Sequence, residues 1–471
     1  MTRNSRRPAE AGFTLIELLL ALIVAAEVIV AAAMAFDFSN QAAAVQTQVT
    51  DMQQSLRIVQ HDIARLVRMA GRGGLPAGIR PELEFDPSDT IPDLLGMAIE
   101  VRNNVTGTAE SDRRIARGVA NSPVALEGTD ILTVRGCFIN PLYALDPETL
   151  VLDDPALPTA ATLVIKSESV IKIPQPLRPF CEELDAAGSG TLLLASSEGR
   201  AVYGVGLITQ DDCPGGAANP DLVNLQLDLT VNSPLNPDQS SDPLVRDRRF
   251  PPRMEALTAC LLEEYRYFVQ ELHDDPADPT SPLRPRLARA RFEPGTELPY
   301  GGDAQNYALP LADGIIDLQV ALGFDTGYPR DEANTSIPGA IDDDTDFLNG
   351  SNDEVIYEAP VFANRNLDDW LYNHPDDVNA QGKALSPRWR VHDFDGRAGL
   401  EVQLYHVRVT TIARTNRADR TYQAPDFDPV VGRDYVEDHD YDTAPANAFK
   451  SLENRKFRRR ALTTIIDPRN L

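Results

Sequence analysis

The sequence predicts an α+β chain: one long N-terminal transmembrane and amphipathic helix, packed on a β-sheet-rich domain that carries long loop insertions. Three observations predict it. Phe13 to Phe36 is 24 residues with only Glu17 and Glu27 charged. A 4-3-4-3-4-3 spacing of apolar residues follows, from Val45 to Leu66. Beyond residue 74 the texture changes to short β-rich runs between Pro, Gly, Asn and Asp.

As a helix, residues 13–36 extend roughly 36 Å at about 1.5 Å per residue, enough to cross a hydrocarbon layer. Arg3, Arg6 and Arg7 precede them, and such cations hold the near end in the cytoplasm. No proline interrupts 13–70, and Gly71, Gly73 and Gly74 stop the helix. In its second half, Val45, Val49, Met52, Leu56, Val59, Ile63 and Leu66 form one apolar seam among Gln, Asp, Arg and Thr. That face must lie against a partner helix or against the chain's own globular part.

Strands are expected over 125–138, 161–173, 190–199, 201–209, 222–231, 256–272, 284–294, 314–325, 400–415 and 456–468. Segments 326–398 and 416–454 read as long acidic loops. Four cysteines, Cys137, Cys181, Cys213 and Cys260, are widely spaced without a C-x-x-C pair, which argues against zinc and redox motifs. If the chain is exported, they are disulfide candidates with three possible pairings.

Formal net charge is −27, and three arginines against one glutamate in residues 1–12 leave the remainder at −29. Such a surface repels phosphate backbones, so no nucleic-acid partner is expected. The six histidines enter no H-E-x-x-H, and no G-x-S-x-G or phosphate loop stands near them, so no enzyme is expected. Calcium is the one ligand the composition suggests, and no cofactor is required. Asp342, Asp343, Asp344 and Asp346 cluster, Asp438, Asp440 and Asp442 alternate, and Asp393 and Asp395 precede a glycine. Loops of this kind supply oxygens to calcium, although solvated acidic loops explain the same residues. The run Arg455–Arg460 reads either as a basic patch for an anionic partner or as arginines of a strand paired with the acidic surface.

Two glutamates in the apolar stretch remain to be explained, since a charge at mid-membrane costs about 2.5–3.5 kcal/mol. In a disposable signal peptide cut near Phe36 they would be odd. G-F-T-L-I-E at 12–17 resembles the prepilin signature of the type IV pilin superfamily. The resemblance implies cleavage by prepilin peptidase between Gly12 and Phe13, N-methylation of Phe13, and a retained helix. Glu17 then becomes the assembly residue, meeting the new Phe13 amine of a neighbouring subunit. Glu27 lies outside the motif and gets no role.

Other stretches resemble the PilW-like minor pilins: LRIVQHDIARLVRMAGRGG, GTDILTVRG, EYRYFV with LARARF, DGIIDLQVALGFDTG and RRRALTTIIDPRNL. The implied organisation is a leader (1–12), a transmembrane half-helix (13–36) and an amphipathic periplasmic half (37–71). A β-rich pilin domain (72–325) follows, then an acidic insertion (326–398) and C-terminal strands (399–471) interrupted by 416–454. The family implies an inner-membrane, single-pass protein with a periplasmic body before assembly, and a place at the pilus and cell surface afterwards. Implied partners are major and other minor pilins, the inner-membrane assembly platform and a PilY-type tip adhesin. A type II secretion pseudopilin and a cleaved, secreted β-rich binding protein are the alternatives.

Overall fold

The computed structural model describes residues 14–73, 75, 98–102, 105, 110–116, 118–139, 142–145, 151–152, 160–169, 174, 177–187, 189–196, 202–209, 222–228, 256–275, 277–278, 280–294, 297–300, 308–325, 370–372, 403–419, 422–423, 435–436, 439–440 and 456–468. The chain divides into two units, Met1–Asp51 and Met52–Leu471. Helix α1, Leu15–Met69, is 55 residues long and contributes to both. It is long and apolar enough to cross a membrane near its N-terminus, where none of the apolar stretch is buried.

In the second unit, Met52, Leu56, Val59, Ile63 and Leu66 are buried, which is the expected seam from Met52 onward. The helix lies against the chain's own β structure. It ends where Gly71 (φ 72°) and Gly73 (φ 105°) take left-handed conformations, a backbone region that side chains disfavour. Their turn is sewn to a strand end, with the Gly71 amide donating to Arg135 O (3.1 Å) and the Cys137 amide to Arg72 O (3.0 Å).

That strand belongs to an antiparallel five-stranded sheet, ordered β1 (Ile99–Arg102), β2 (Ile131–Gly136), β10 (Glu263–His273), β11 (Leu283–Phe292), β12 (Ala308–Asp313). The run 256–272, expected as one strand, breaks at Leu262 into β9 (Ala256–Leu261) and β10. The two halves serve different sheets.

A four-stranded sheet has the order β14 (Trp370–Tyr372), β13 (Ile315–Asp325), β15 (Gln403–Arg414), β18 (Arg459–Ile466). Both faces of β15 are covered: Val407, Val409, Ile412 and Ala413 are buried, and so are His406, Thr410 and Thr411. Asp130 docks β13 to the loop before β2. Its carboxylate accepts the Val320 amide (2.6 Å) and its own amide donates to Leu318 O (2.9 Å).

The third sheet has the order β3 (Tyr143–Leu145), β9, β6 (Ser189–Ser196), β7 (Val202–Thr209), β8 (Leu222–Asp228), β5 (Ala160–Ser169), β4 (Val151–Leu152). Pairing of β3 with β5 closes six of these strands into a ring, which removes exposed strand edges. Inside pack Tyr143, Ile165, Leu192, Leu194 and Leu225, together with Phe180 and Leu184 from α3 (Arg178–Ala187) and Leu177 just before it. This helix was not expected from the sequence. A short α2 (Glu110–Arg113) and the pair β16 (Tyr435–Val436) and β17 (His439–Asp440) complete the described elements. The last two strands fall in the segment read as loop, as β14 does in 326–398.

Cys137, just past β2, is bonded to Cys260 of β9 across 123 residues of sequence. Cys181 is also disulfide-bonded, and Cys213 lies outside the described residues. The Cys137–Cys260 bond joins the end of the five-stranded sheet to the ring. Replacing both residues by Ser is expected to cost about 2–5 kcal/mol of stability, read from urea unfolding of the full chain in neutral detergent. An unchanged midpoint would mean that other contacts already restrain this loop.

Candidate functional site

Two regions carry the residues singled out by the sequence: the start of α1, and the seat of its second half. At the start, Thr14 and Glu17 form a reciprocal cap. The Glu17 carboxylate accepts the Thr14 amide (2.9 Å) and the Thr14 hydroxyl (2.9 Å). The Glu17 amide in turn donates to Thr14 Oγ1 (3.3 Å). This is a T-x-x-E capping box, which satisfies helix N–H groups that have no partner within the helix. The pattern stands in the sequence at 14–17, and Glu17 therefore has a local role besides any intersubunit one. Around it Leu15, Ile16, Leu18, Leu19 and Leu20 are exposed. Gly12 and Phe13 lie outside the described residues.

In the second unit, α1 is held by polar anchors as well as by its seam. Gln60 is buried, and its amide nitrogen donates to Leu462 O (3.0 Å), Thr411 Oγ1 (2.9 Å) and Val409 O (3.3 Å). It thus straddles β15 and β18. Two residues on, Asp62 accepts the Tyr267 hydroxyl (2.7 Å) and the Arg289 guanidinium (2.8 and 3.0 Å) from β10 and β11. Burial, followed by the nearby Asp62 charge, raises the Tyr267 phenol well above its ordinary value, so it acts as a donor.

Beneath this seat lies a buried charge network. Arg135 is fully buried and bonded to Glu264 (2.7 Å) and Glu100 (3.0 Å). Glu264 also binds Arg266 (2.8 Å), which reaches Glu297 (2.6 Å) and stacks 3.9 Å from the Phe292 ring centre. Burial opposes the charge on Arg266, but Glu264 and Glu297 outweigh it and hold its pKa above the ordinary value.

A second cluster joins β10 to the ring. Glu263 accepts the amides of Phe138 (2.8 Å) and Ile139 (2.6 Å), and Arg291 lies 3.2 Å away. Burial pushes the Glu263 carboxyl up from its usual value, against the pull of Arg291 and those amides. Arg291 also pairs with Glu183 of α3 and stacks 3.7 Å over Tyr300. Glu183, Arg291 and Tyr300 border a cavity of about 50 Å³ near Gly190 and Leu261. In each cluster carboxylates are engaged by arginine or by backbone N–H groups, an arrangement that cross-links strands.

Of the calcium candidates Asp342, Asp344, Asp346, Asp438, Asp440 and Asp442, only Asp440 is among the described residues, in β17. Among the described residues no three His, Cys, Asp or Glu side chains gather to hold a metal ion. The expectation of calcium thus falls on segments outside them. The sequence did not show the Arg135 network because Glu264 and Arg266 alternate with Tyr265 and Tyr267, a pattern that suggests a half-exposed strand. The tyrosines and arginines facing one another across β10 and β11 lie on the other face of β10, the one that seats α1.

Compared with known proteins, the chain matches no protein-family model, no curated protein and no solved structure.

Two measurements probe this site. Arg135→Met leaves Glu100 and Glu264 facing a methionine, and is expected to destabilise by about 3–5 kcal/mol in denaturant unfolding. His406 is held neutral by burial and by nearby Arg408, with its pKa lowered from 6.5 to about 4. The unfolded chain takes up this proton at the ordinary value and the folded chain only near 4. Stability should therefore fall as pH drops from about 6.5 to about 4, and His406→Gln should remove that part of the slope in thermal melts.

Proposed function

We propose that this chain is a minor pilin of the PilW-like kind: a single-pass inner-membrane prepilin that is cleaved after Gly12 and joins a type IV pilus. It helps to prime assembly, with its β-rich body near the filament tip. The work is association, not catalysis. The observation that carries this reading is the continuity of α1. The G-F-T-L-I-E motif opens a single helix whose exposed apolar first half suits lipid or a bundle of like helices, and whose second half is core of the folded body.

That continuity weighs against a secreted protein cut near Phe36, because such a product would keep the buried seam but lose the helix that extends it. A type II secretion pseudopilin would share every feature named, and differs in whether the filament reaches the surface. Among partners, prepilin peptidase, the assembly platform, other pilins and a PilY-type adhesin follow from the same reading.

The capping box sharpens the test of Glu17. A glutamine at this position still accepts the Thr14 donors, as capping boxes permit, but carries no charge for a neighbour's Phe13 amine. Glu17→Gln is therefore expected to leave helix content and cleavage unchanged while the chain disappears from sheared filaments. Mass spectrometry of the parent chain should find N-methylated Phe13 as its first residue. A mature N-terminus near Phe36, or filament incorporation unaffected by Glu17→Gln, would overturn the proposal.

A further inference from the structure

Glu27 is used neither by the capping box nor by the seat of α1. It is exposed and, among the described residues, enters no hydrogen bond or ion pair. From Leu15 to Phe36 every residue except Glu17 and Glu27 is apolar, so no neighbouring turn offers a donor. One turn away on either side stand Ile23, Val24, Val30 and Ala31. Glu17, by contrast, closes onto Thr14 where the helix begins.

Depth makes an unpaired carboxylate unfavourable here. This inference rests on the reading that residues 13–36 cross the membrane. Along the axis, Glu27 then lies about 18 Å from Leu15 and about 13 Å from Phe36. Neither end is within reach of so short a side chain. Helical Cα–Cβ bonds also tilt toward the N-terminus, so Glu27 leans away from the nearer boundary. It cannot extend to water as a long lysine does near a helix end. Carboxylates at this depth are found against a partner group or a water-filled path.

The chain does not supply that partner. Residues 8–56 contain no Lys, Arg or His, and Arg57 is the first cation beyond them. Arg3, Arg6 and Arg7 belong to the leader that the proposed cleavage removes. A second copy, inserted in the same sense, would bring Glu27 beside Glu27. Its one new cation is the Phe13 amine, which a neighbour's Glu17 engages in the proposed filament. Positions 17 and 27 stand about 15 Å apart along the axis, so one amine does not serve both. The missing cation belongs to another polypeptide. Ala25, Ala26, Ala31, Ala32 and Ala33 lie close by along the helix, and small side chains let helix backbones approach closely in lipid.

We propose that the membrane half of α1 docks, through Glu27, a transmembrane helix of a different protein that carries a lysine or arginine within its apolar span. The Glu27 carboxylate accepts the charge-assisted hydrogen bonds of that cation, and each group neutralises the other where water is absent. Glu17 registers like helices, whereas Glu27 selects an unlike one.

The test uses the full chain, labelled in its body, in phosphatidylcholine vesicles. The probes are labelled apolar helical peptides of matching length with a central lysine, or with leucine or glutamine in its place. Energy transfer should show the lysine peptide binding about tenfold more tightly than the leucine peptide. Glu27→Leu should remove that difference and Glu27→Asp should keep part of it. Asp51→Asn, beyond the apolar stretch, should leave it unchanged. Equal binding of the lysine and leucine peptides, or a glutamine peptide as tight as the lysine one, would sink the proposal. Energy transfer between two labelled copies of the chain that is lost in Glu27→Leu would sink it too, since the occupant would then be a second copy. Flotation separates this failure from that of the reading beneath it. A chain that floats with the vesicles yet ignores the lysine peptide loses only the docking site; a chain that does not float loses the membrane span as well.

Discussion

The structure depends on one constraint: the second half of α1 has an apolar seam that water will not tolerate, and the chain must build its own cover for it. Met52, Leu56, Val59, Ile63 and Leu66 are buried by sheets made from strands far apart in sequence. Apolar burial is non-directional and would allow the helix to slide or rotate. Gln60 and Asp62 remove that freedom, because each bonds strands that a shift of one residue would carry out of reach. The seam supplies cohesion and the two polar residues supply register.

The helix terminus is fixed by a different device. A Cβ on Gly73 would lie 2.8 Å from Cys260 Sγ and 2.9 Å from Cys137 Sγ, and the residue's φ of +105° excludes most side chains in any case. The disulfide therefore packs against bare backbone, at the place where helix, five-stranded sheet and ring meet. Arg135, whose carbonyl receives the Gly71 amide, sits beside this junction with its charge buried between Glu100 and Glu264. Such buried ions contribute little net stability but make alternative packings costly.

Much of this was legible in residues alone. The 4-3 spacing marks the buried face of α1 from Met52 onward, and the three glycines mark its end. Most strands were visible as β-branched runs. The misses have different physical causes, and the first is that a polar residue in a strand need not be exposed. In β15, His406 and Thr410 stand on the face opposite Val407 and Val409, a pattern that would suit one solvated face, yet tertiary packing covers both. The prolines around RPFCEEL hid α3, although Leu177, Phe180, Cys181 and Leu184 hold helical spacing and Pro179 falls in the first turn, where its missing N–H costs nothing. Ring closure by β3 and β5 could not be read at all, since no local pattern encodes a long-range pairing.

The anchors of α1 also decide how the molecule would bear load. Gln60, Asp62 and the Gly71–Arg72 backbone bonds are distributed along the helix over about 18 Å, and each attaches to a different strand or strand end. A pull along the helix axis would meet them side by side, so that no single bond carries the whole force. The covalent link between Cys137 and Cys260 stands just behind the last of them. The body would come away from such a stalk all at once or not at all.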